Sequence, residues 1–299
     1  MRLKARSVFA GSVLVAFVSF ACQDQPDTAF QPSEDLAELA APAILLAVGD
    51  IAGCPEWYQD EATAELAASL PGTVAILGDV VYRDGKRWEF RQCYDPSWGR
   101  VLARSRPAPG NHEYHQVGAG PYYEYFGTRA GPAGKGYYTY KLGTWRIYSL
   151  NSERNIPEQT AWLKSHLAEN RSKCILAYWH KPRYTSGEHP NDTTVRPLFH
   201  ELYKAGAEVV LSGHNHNYER FAPQDADGNF QAKGVRQFVV GTGGARKEGF
   251  VTVQPNSKVR YAEGWGVLRL TLGAGKYGWN FLPVPGSPPA DTGSANCTK

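Results

Sequence analysis

The chain has 299 residues, enough for one large domain or two small ones, and 42% of them are hydrophobic, a globular composition. Lys and Arg number 32 against 29 Asp and Glu. That near balance, with no basic stripe, excludes a nucleic-acid duplex as the partner.

Residues 1–21 read as an export signal. Arg2, Lys4 and Arg6 form a basic end, and Val8 to Ala21 is apolar but interrupted by Gly11 and Ser12. The stretch is too short for a membrane span. Ser19-Phe20-Ala21-Cys22 resembles a bacterial lipobox, which makes Cys22 the lipidated residue, although Ser19 stands where such motifs usually carry Leu. The alternative is an ordinary signal cut near Ala21. Removing the signal takes away three cations and no anions, so the exported chain has 29 of each sign and no net charge. Residues 22–42, with Pro26, Pro32 and Pro42, read as the lipidated Cys and a flexible tether. A single domain is expected over 43–299. The implied location is the bacterial periplasm or outer membrane, with membrane contact only through a lipid anchor at Cys22; without the anchor the protein would be secreted.

Ala43 to Val48 is a short apolar run that reads as a buried strand ending at Gly49-Asp50. Glu56 to Leu70 has helical spacing and is stopped by Pro71-Gly72. Thr73 to Leu77 is a second strand, ending at Gly78-Asp79. Strand, helix and strand in so few residues predict a parallel crossover unit. A further helix is expected over Ser97 to Arg104, before the turn Gly110-Asn111-His112. Residues 136–151 alternate and turn at Gly143-Thr144, as a hairpin does. Pro157 opens a helix to about Asn170. Cys174 to Trp179 is a strand ending at His180, and Thr194 to Ala205 is helical. Glu208 to Ser212 is a strand ending at Gly213-His214, and Val235–Val240 and Trp265–Thr271 read as antiparallel strands. The sum is an α/β fold of two stacked sheets flanked by helices, with ligands gathered where parallel strands end.

With Cys22 set aside, Cys54, Cys93, Cys174 and Cys297 allow three pairings. Cys54 with Cys93 is expected because both read as loop residues beyond strand ends. Cys174 with Cys297 would then pin the C-terminal tail to a core strand. An oxidising compartment favours disulfides. The rival zinc–thiolate site lacks any Cys-x-x-Cys spacing.

Five segments place hard-cation ligands at their ends: Asp50, Asp79 with Tyr82, Asn111, His180, and His214 with His216. Each alone is also an ordinary turn or a core histidine. Their joint occurrence, mostly after apolar runs, points to a site for two metal ions. Asp79 is the more central of the two carboxylates and suits a bridge between ions about 3.5–4 Å apart. A phenol ligand must lose its proton, so Tyr82 favours ferric iron in the first position.

The order Gly-Asp, Gly-Asp-x-x-Tyr, Gly-Asn-His-Glu, a lone His and Gly-His-x-His resembles the calcineurin-like metallophosphoesterases. Tyr82 and the run Gly213-His214-Asn215-His216-Asn217-Tyr218-Glu219-Arg220 narrow the likeness to the purple acid phosphatase branch. The resemblance spans roughly residues 45–245. It implies a four-layer α/β/β/α sandwich of two mixed β-sheets flanked by helices. It also implies Asp50, Asp79, Tyr82 and His216 on an Fe(III) ion, with Asp79, Asn111, His180 and His214 on Fe(II), Zn or Mn. His112 would contact the phosphate or protonate the leaving oxygen, and His189 would be an outer-sphere histidine. Glu113 would either orient His112 or serve the turn. Departures are Ala52, where many relatives carry Gly or His, and Pro190, where plant-type members often carry a second His. The N-terminal β domain of large plant-type enzymes has no counterpart, since only the tether precedes residue 43.

The reaction implied is hydrolysis of a phosphate ester on a small phosphorylated substrate, most simply a monoester, with metal-bound hydroxide attacking phosphorus. Three alternatives stay open. The same site could act on phosphodiesters or nucleotides, with Trp57, Tyr58, Tyr114, Tyr122 or Tyr123 stacking a base. The fold could serve a non-catalytic surface binding protein, although such a protein needs no complete ligand set. It could also hold redox iron.

Overall fold

A computed structural model describes residues 41–55, 58–132, 134–287 and 291–298. The expected export signal and almost all of the tether lie outside the described residues. Among the described residues, no helix is long and apolar enough to cross a membrane.

Two sheets form the centre. The strands are β1 (Ala43–Val48), β2 (Thr73–Leu77), β3 (Ser105–Ala108), β4 (Tyr138–Leu142), β5 (Trp145–Ser149), β6 (Cys174–Tyr178), β7 (Val209–Ser212), β8 (Tyr218–Phe221), β9 (Arg236–Val240), β10 (Ser257–Tyr261), β11 (Gly266–Gly273), β12 (Lys276–Pro283) and β13 (Thr292–Asn296). One sheet runs β13-β12-β11-β1-β2-β3 and the other β10-β8-β9-β7-β6-β5-β4. Strands β1, β2 and β3 are parallel to one another, as are β5, β6, β7 and β9. Antiparallel strands complete both sheets.

Burial on both faces explains the continuous apolar runs, because successive side chains on a strand point to opposite faces. In β1, Leu45 and Ala47 face the other sheet, while Leu46 and Val48 face the flanking helices. In β6, Cys174, Leu176 and Tyr178 point between the sheets, and Ile175 and Ala177 point outward. The first sheet is covered by the helix Asp60–Ser69 and a helical run over 87–104. The second is covered by Ile156–Glu169 and Arg196–Lys204. The result is the four-layer α/β/β/α sandwich that the sequence implied.

Several elements differ from the sequence reading. The first helix begins at Asp60 rather than Glu56, with Asp60 and Glu61 in its first turn, where acidic side chains complement the helix dipole. The second helical run is much longer than 97–104 and packs Phe90, Tyr94 and Trp98 inward. Strand β3 was not expected, because Ser105-Arg106-Pro107-Ala108 lacks an apolar run; as an edge strand it tolerates Pro107. The segment 236–240 pairs in parallel with β7 and only on its other side antiparallel with β8. Strands β8, β10, β12 and β13 were also not anticipated, although the inward set Tyr277, Trp279 and Phe281 of β12 carries period-two alternation.

Both expected disulfides are present, Cys54–Cys93 and Cys174–Cys297. Cys93 lies in the helical run rather than in a loop. The second bridge joins the start of β6 to the tail after β13, and so ties one sheet to the other. Replacing Cys174 and Cys297 together by Ser is expected to lower unfolding stability by about 2–4 kcal/mol. An unchanged urea midpoint would show that the tail contributes nothing.

Candidate metal centre

The C-terminal ends of β1, β2 and β3 in one sheet and β6 and β7 in the other converge on one edge of the sandwich. Three residues there carry positive φ without being glycine: Asp50 (60°), Asp79 (44°) and His214 (72°). Side chains are disfavoured in that region, and such outliers persist where the surroundings hold them. The surroundings here are tight. A Cβ on Gly110 would lie 2.2 Å from Asp79 Oδ1, and one on Gly213 would lie 2.5 Å from Asp50 Oδ2. The glycines before Asn111 and His214 therefore clear space for the carboxylate of a neighbouring loop, and the one before Asp79 clears space for the His180 ring, which a Cβ on Gly78 would approach to 2.6 Å.

Asp79 is the hub. Its Oδ1 accepts the backbone N–H of His112 at 3.0 Å. Its Oδ2 lies 3.2 Å from His180 Nε2, 3.4 Å from the Tyr82 hydroxyl and 3.7 Å from His112 Nε2. Asp50 is arranged similarly. Its Oδ2 accepts the His214 N–H at 2.9 Å, and its Oδ1 sits 3.1 Å from the Tyr82 hydroxyl and 3.5 Å from His216 Nε2. His216 Nε2 is also 3.1 Å from the Tyr82 hydroxyl. Asn111 Oδ1 lies 3.1 Å from His180 Nε2. The ligand atoms of Asp79, His180 and His214 all fall within 4.8 Å of one another.

Backbone carbonyls orient the imidazoles. His180 Nδ1 donates to the Leu77 carbonyl at 2.9 Å, and His216 Nδ1 donates to the Arg246 carbonyl at 2.7 Å. A carbonyl only accepts, so each Nδ1 carries a proton and each Nε2 turns toward the carboxylates. His112 is held the same way, through Nδ1 to the Arg83 carbonyl, with its ring 4.4 Å from that of Tyr82.

The cluster is rich in acceptors and poor in donors, so it requires positive charge. Burial disfavours the imidazolium of His180, yet Asp79 outweighs burial and raises its pKa to about 10. Burial is likewise outweighed at His216, where Asp50 and then Glu248 raise the pKa to about 9. Burial and the neighbouring His180 push His214 down to about 2. Burial alone would raise the Asp79 carboxyl, but His180, His112 and His214 hold it well below the usual range. Burial, Asp50 and Asp79 push the Tyr82 phenol well above its ordinary value. The protons on His180 and His216 stand where metal cations would supply the same charge, and this donor set of carboxylate, phenol, amide and imidazole fits such ions.

A cavity of about 310 Å³ opens over the cluster, with Asp79, Tyr82, Asn111, His112, His214 and His216 in its wall. Asp50 and His180 lie fully buried beneath. His189 also lines the cavity. Its ring stacks on His214 at 4.4 Å, and its Nε2 faces Glu248 at 3.4 Å. All nine residues singled out in the sequence are thus brought together. Glu113 does not orient His112. Its buried carboxylate accepts N–H groups of Gly110 at 2.7 Å and Val80 at 2.9 Å, fastening the Asn111 loop to the Asp79 loop. Burial and then Asp79 raise its pKa to about 8.

Sequence reasoning missed Arg83, Arg246 and Glu248, which line the same cavity. The signal available for the last two was the run Gly241-Thr242-Gly243-Gly244 after an apolar stretch. A Cβ on Gly241 would lie 2.8 Å from Asp50 Oδ2, so that loop, too, packs against the cluster. Of the aromatics considered for base stacking, Tyr58 lines the cavity. Tyr122 is core, Tyr114 and Tyr123 pack against core residues, and Trp57 lies outside the described residues.

A family profile described as calcineurin-like phosphoesterase matches residues 44–218. Probable purple acid phosphatase 20 of Arabidopsis thaliana is 29% identical over 248 residues, covering 72% of this chain and 55% of the relative. Purple acid phosphatase 15 of the same plant is 25% identical over 247 residues, covering 69% of this chain and 46% of the relative. The chain spans about half the length of these curated relatives. A purple acid phosphatase from yellow lupin (Lupinus luteus) seeds superposes with a TM-score of 0.75 at 18% identity, over 86% of this chain and 54% of that one. GAP50, the anchor in the inner membrane complex of Plasmodium, superposes with a TM-score of 0.69 at 14% identity, over 87% of this chain and 90% of that one. At these identities the structural likeness speaks to the fold.

Replacing Glu113 by Ala leaves the N–H groups of Gly110 and Val80 buried without their acceptor. The expected outcome is a loss of roughly 2–5 kcal/mol in stability, together with weakened metal retention. Unchanged melting and metal content would rule out the clamp.

Proposed function

The chain belongs to the calcineurin-like phosphoesterase family, and from that premise we propose that it is an exported phosphomonoesterase of purple acid phosphatase type with a binuclear metal centre. The observation that carries this reading is the position of Asp79 Oδ2, within 3.4 Å of both the Tyr82 hydroxyl and His180 Nε2. One carboxylate oxygen is thereby shared between two donor sets. Asp50, Asp79, Tyr82 and His216 would hold the first ion, and Asp79, Asn111, His180 and His214 the second. The raised pKa of Tyr82 calls for a strong Lewis acid in the first position, so Fe(III) is assigned there and Fe(II), Zn or Mn in the second. When bound, the ions polarise phosphate oxygens and lower the pKa of the attacking water.

The chain's own groups do the rest. His112 is anchored through Nδ1, which leaves Nε2 at the cavity to contact the phosphate or hand a proton to the departing alcohol. His189 is raised in pKa by its hydrogen bond to Glu248, and its charged form would assist at the outer edge of the phosphate. Two disulfides support folding in an oxidising compartment. Export through residues 1–21 and a lipid anchor at Cys22 belong to the same proposal, as does a single phosphoesterase domain over 43–299.

Hydrolysis of an aryl phosphate monoester is expected to exceed that of the matching diester, and Asp79→Asn should abolish turnover and retention of both ions. Two ions and full activity in Asp79→Asn would sink the scheme. Faster diester turnover would move the assignment to a phosphodiesterase. With metal content unchanged, His112→Gln should lower kcat by about 10²–10⁴-fold for an alkyl ester, whose leaving group needs a proton. A kcat within twofold of the parent would remove His112 from that role.

A further inference from the structure

Arg83 and Arg246 line the cavity over the metal cluster, and both are exposed at its rim. Each is already engaged through its backbone, since their carbonyls hold His112 and His216. Their guanidinium groups have no ion pair or side-chain hydrogen bond among the described residues. The acids nearby are occupied. Asp84 pairs with Lys86 at 2.6 Å. Glu89 accepts the backbone N–H groups of Arg83, Asp84 and Lys86. Glu248 faces His189 and His216. The Arg83 guanidinium lies close enough to Tyr58, another cavity residue, to oppose the rise in its pKa that burial causes.

The charge balance makes these two cations surplus to the reaction already described. Two ions carrying five positive charges, less two carboxylates, one phenolate and one hydroxide, leave about one net positive charge at the phosphate position. That suffices to attract the dianion of a simple monoester. Two unpaired arginines in the cavity wall add two charges beyond it, and guanidinium is the side-chain group best suited to bidentate capture of phosphoryl oxygens.

We propose that Arg83 and Arg246 form a second anion subsite, which selects phosphate esters whose leaving group carries a further phosphoryl group. This inference rests on the phosphoesterase reading and names the substrate class of that site. The guanidinium groups hold the second phosphoryl group, and the ester bond broken stays at the metal centre.

The test compares 3-hydroxypropyl phosphate, propane-1,3-diyl bisphosphate and 3-carboxypropyl phosphate, which differ only in the distal group. Binding is read by calorimetry on metal-loaded protein and turnover by phosphate release, for the parent, Arg83→Met, Arg246→Met and the double variant. The parent should bind and cleave the bisphosphate at least tenfold better than the hydroxy ester, and each substitution should cut that preference by about tenfold. Metal content and melting temperature of the variants report whether the fold is kept. Equal losses for the bisphosphate and the hydroxy ester would overturn the proposal, because the arginines would then serve the scissile phosphate. A preference unchanged in the double variant would overturn it as well. An equal gain for the carboxylate ester would overturn the assignment to a phosphoryl group. If the parent cleaves none of the esters yet binds the bisphosphate preferentially through the arginines, the phosphoesterase reading fails and the subsite stands.

Discussion

Everything at the functional edge depends on keeping two buried carboxylates close together against their mutual repulsion. Asp50 and Asp79 both approach the Tyr82 hydroxyl, within 3.1 and 3.4 Å, where water cannot screen them. Such a pair survives only if positive charge lies between or beside it. In the protein alone, His180 and His216 supply that charge as imidazolium ions. The elevated pKa of His180 and the depressed value of Asp79 are two faces of one interaction, while that of His216 comes from Asp50 and then Glu248. The same field that holds those protons would bind metal cations.

The rest of the edge is built to hold this arrangement rigid. Glycine at 110, 213 and 241 removes side-chain volume where neighbouring loops would strike Asp79 or Asp50. Glu113 reaches from the third loop to the second and occupies backbone donors that have no strand partner. Carbonyls of Leu77, Arg83 and Arg246 orient three imidazoles from outside the cluster. The two sheets carry these loops on strands that are buried at the ends nearest the site, so side-chain positions are tied to the core rather than to flexible surface segments.

The cavity above the cluster holds about 310 Å³, and all of its lining residues except Ala245 carry a polar or ionisable group. Its wall combines groups turned inward, such as Tyr82 and His214, with cations left unmatched at the rim. On the proposed reading, the inner groups would serve the scissile phosphate and the outer arginines a second phosphoryl group on the leaving alcohol.

The sequence by itself determined the candidate ligand types, their order and most of the parallel core strands, and it favoured the disulfide pairing found. Apolar runs ending in Gly-Asp, Gly-Asn-His and Gly-His are local patterns, and local patterns are written along the chain. Strands without such runs were hidden. Ser105-Arg106-Pro107-Ala108 is a strand only because β2 offers it an edge, and Val235 to Val240 runs parallel to β7 only because of the order in which the sheet assembles. Tertiary structure alone decided that Glu113 clamps two loops instead of orienting His112, and that Arg83, Arg246 and Glu248 reach the cavity. Such placements come from approaches between segments distant in the chain, such as Asp50 with Gly241, 191 residues on, whose Cβ position would lie 2.8 Å from the carboxylate. No periodicity along a chain encodes such a distance, because it is set by how the two sheets stack.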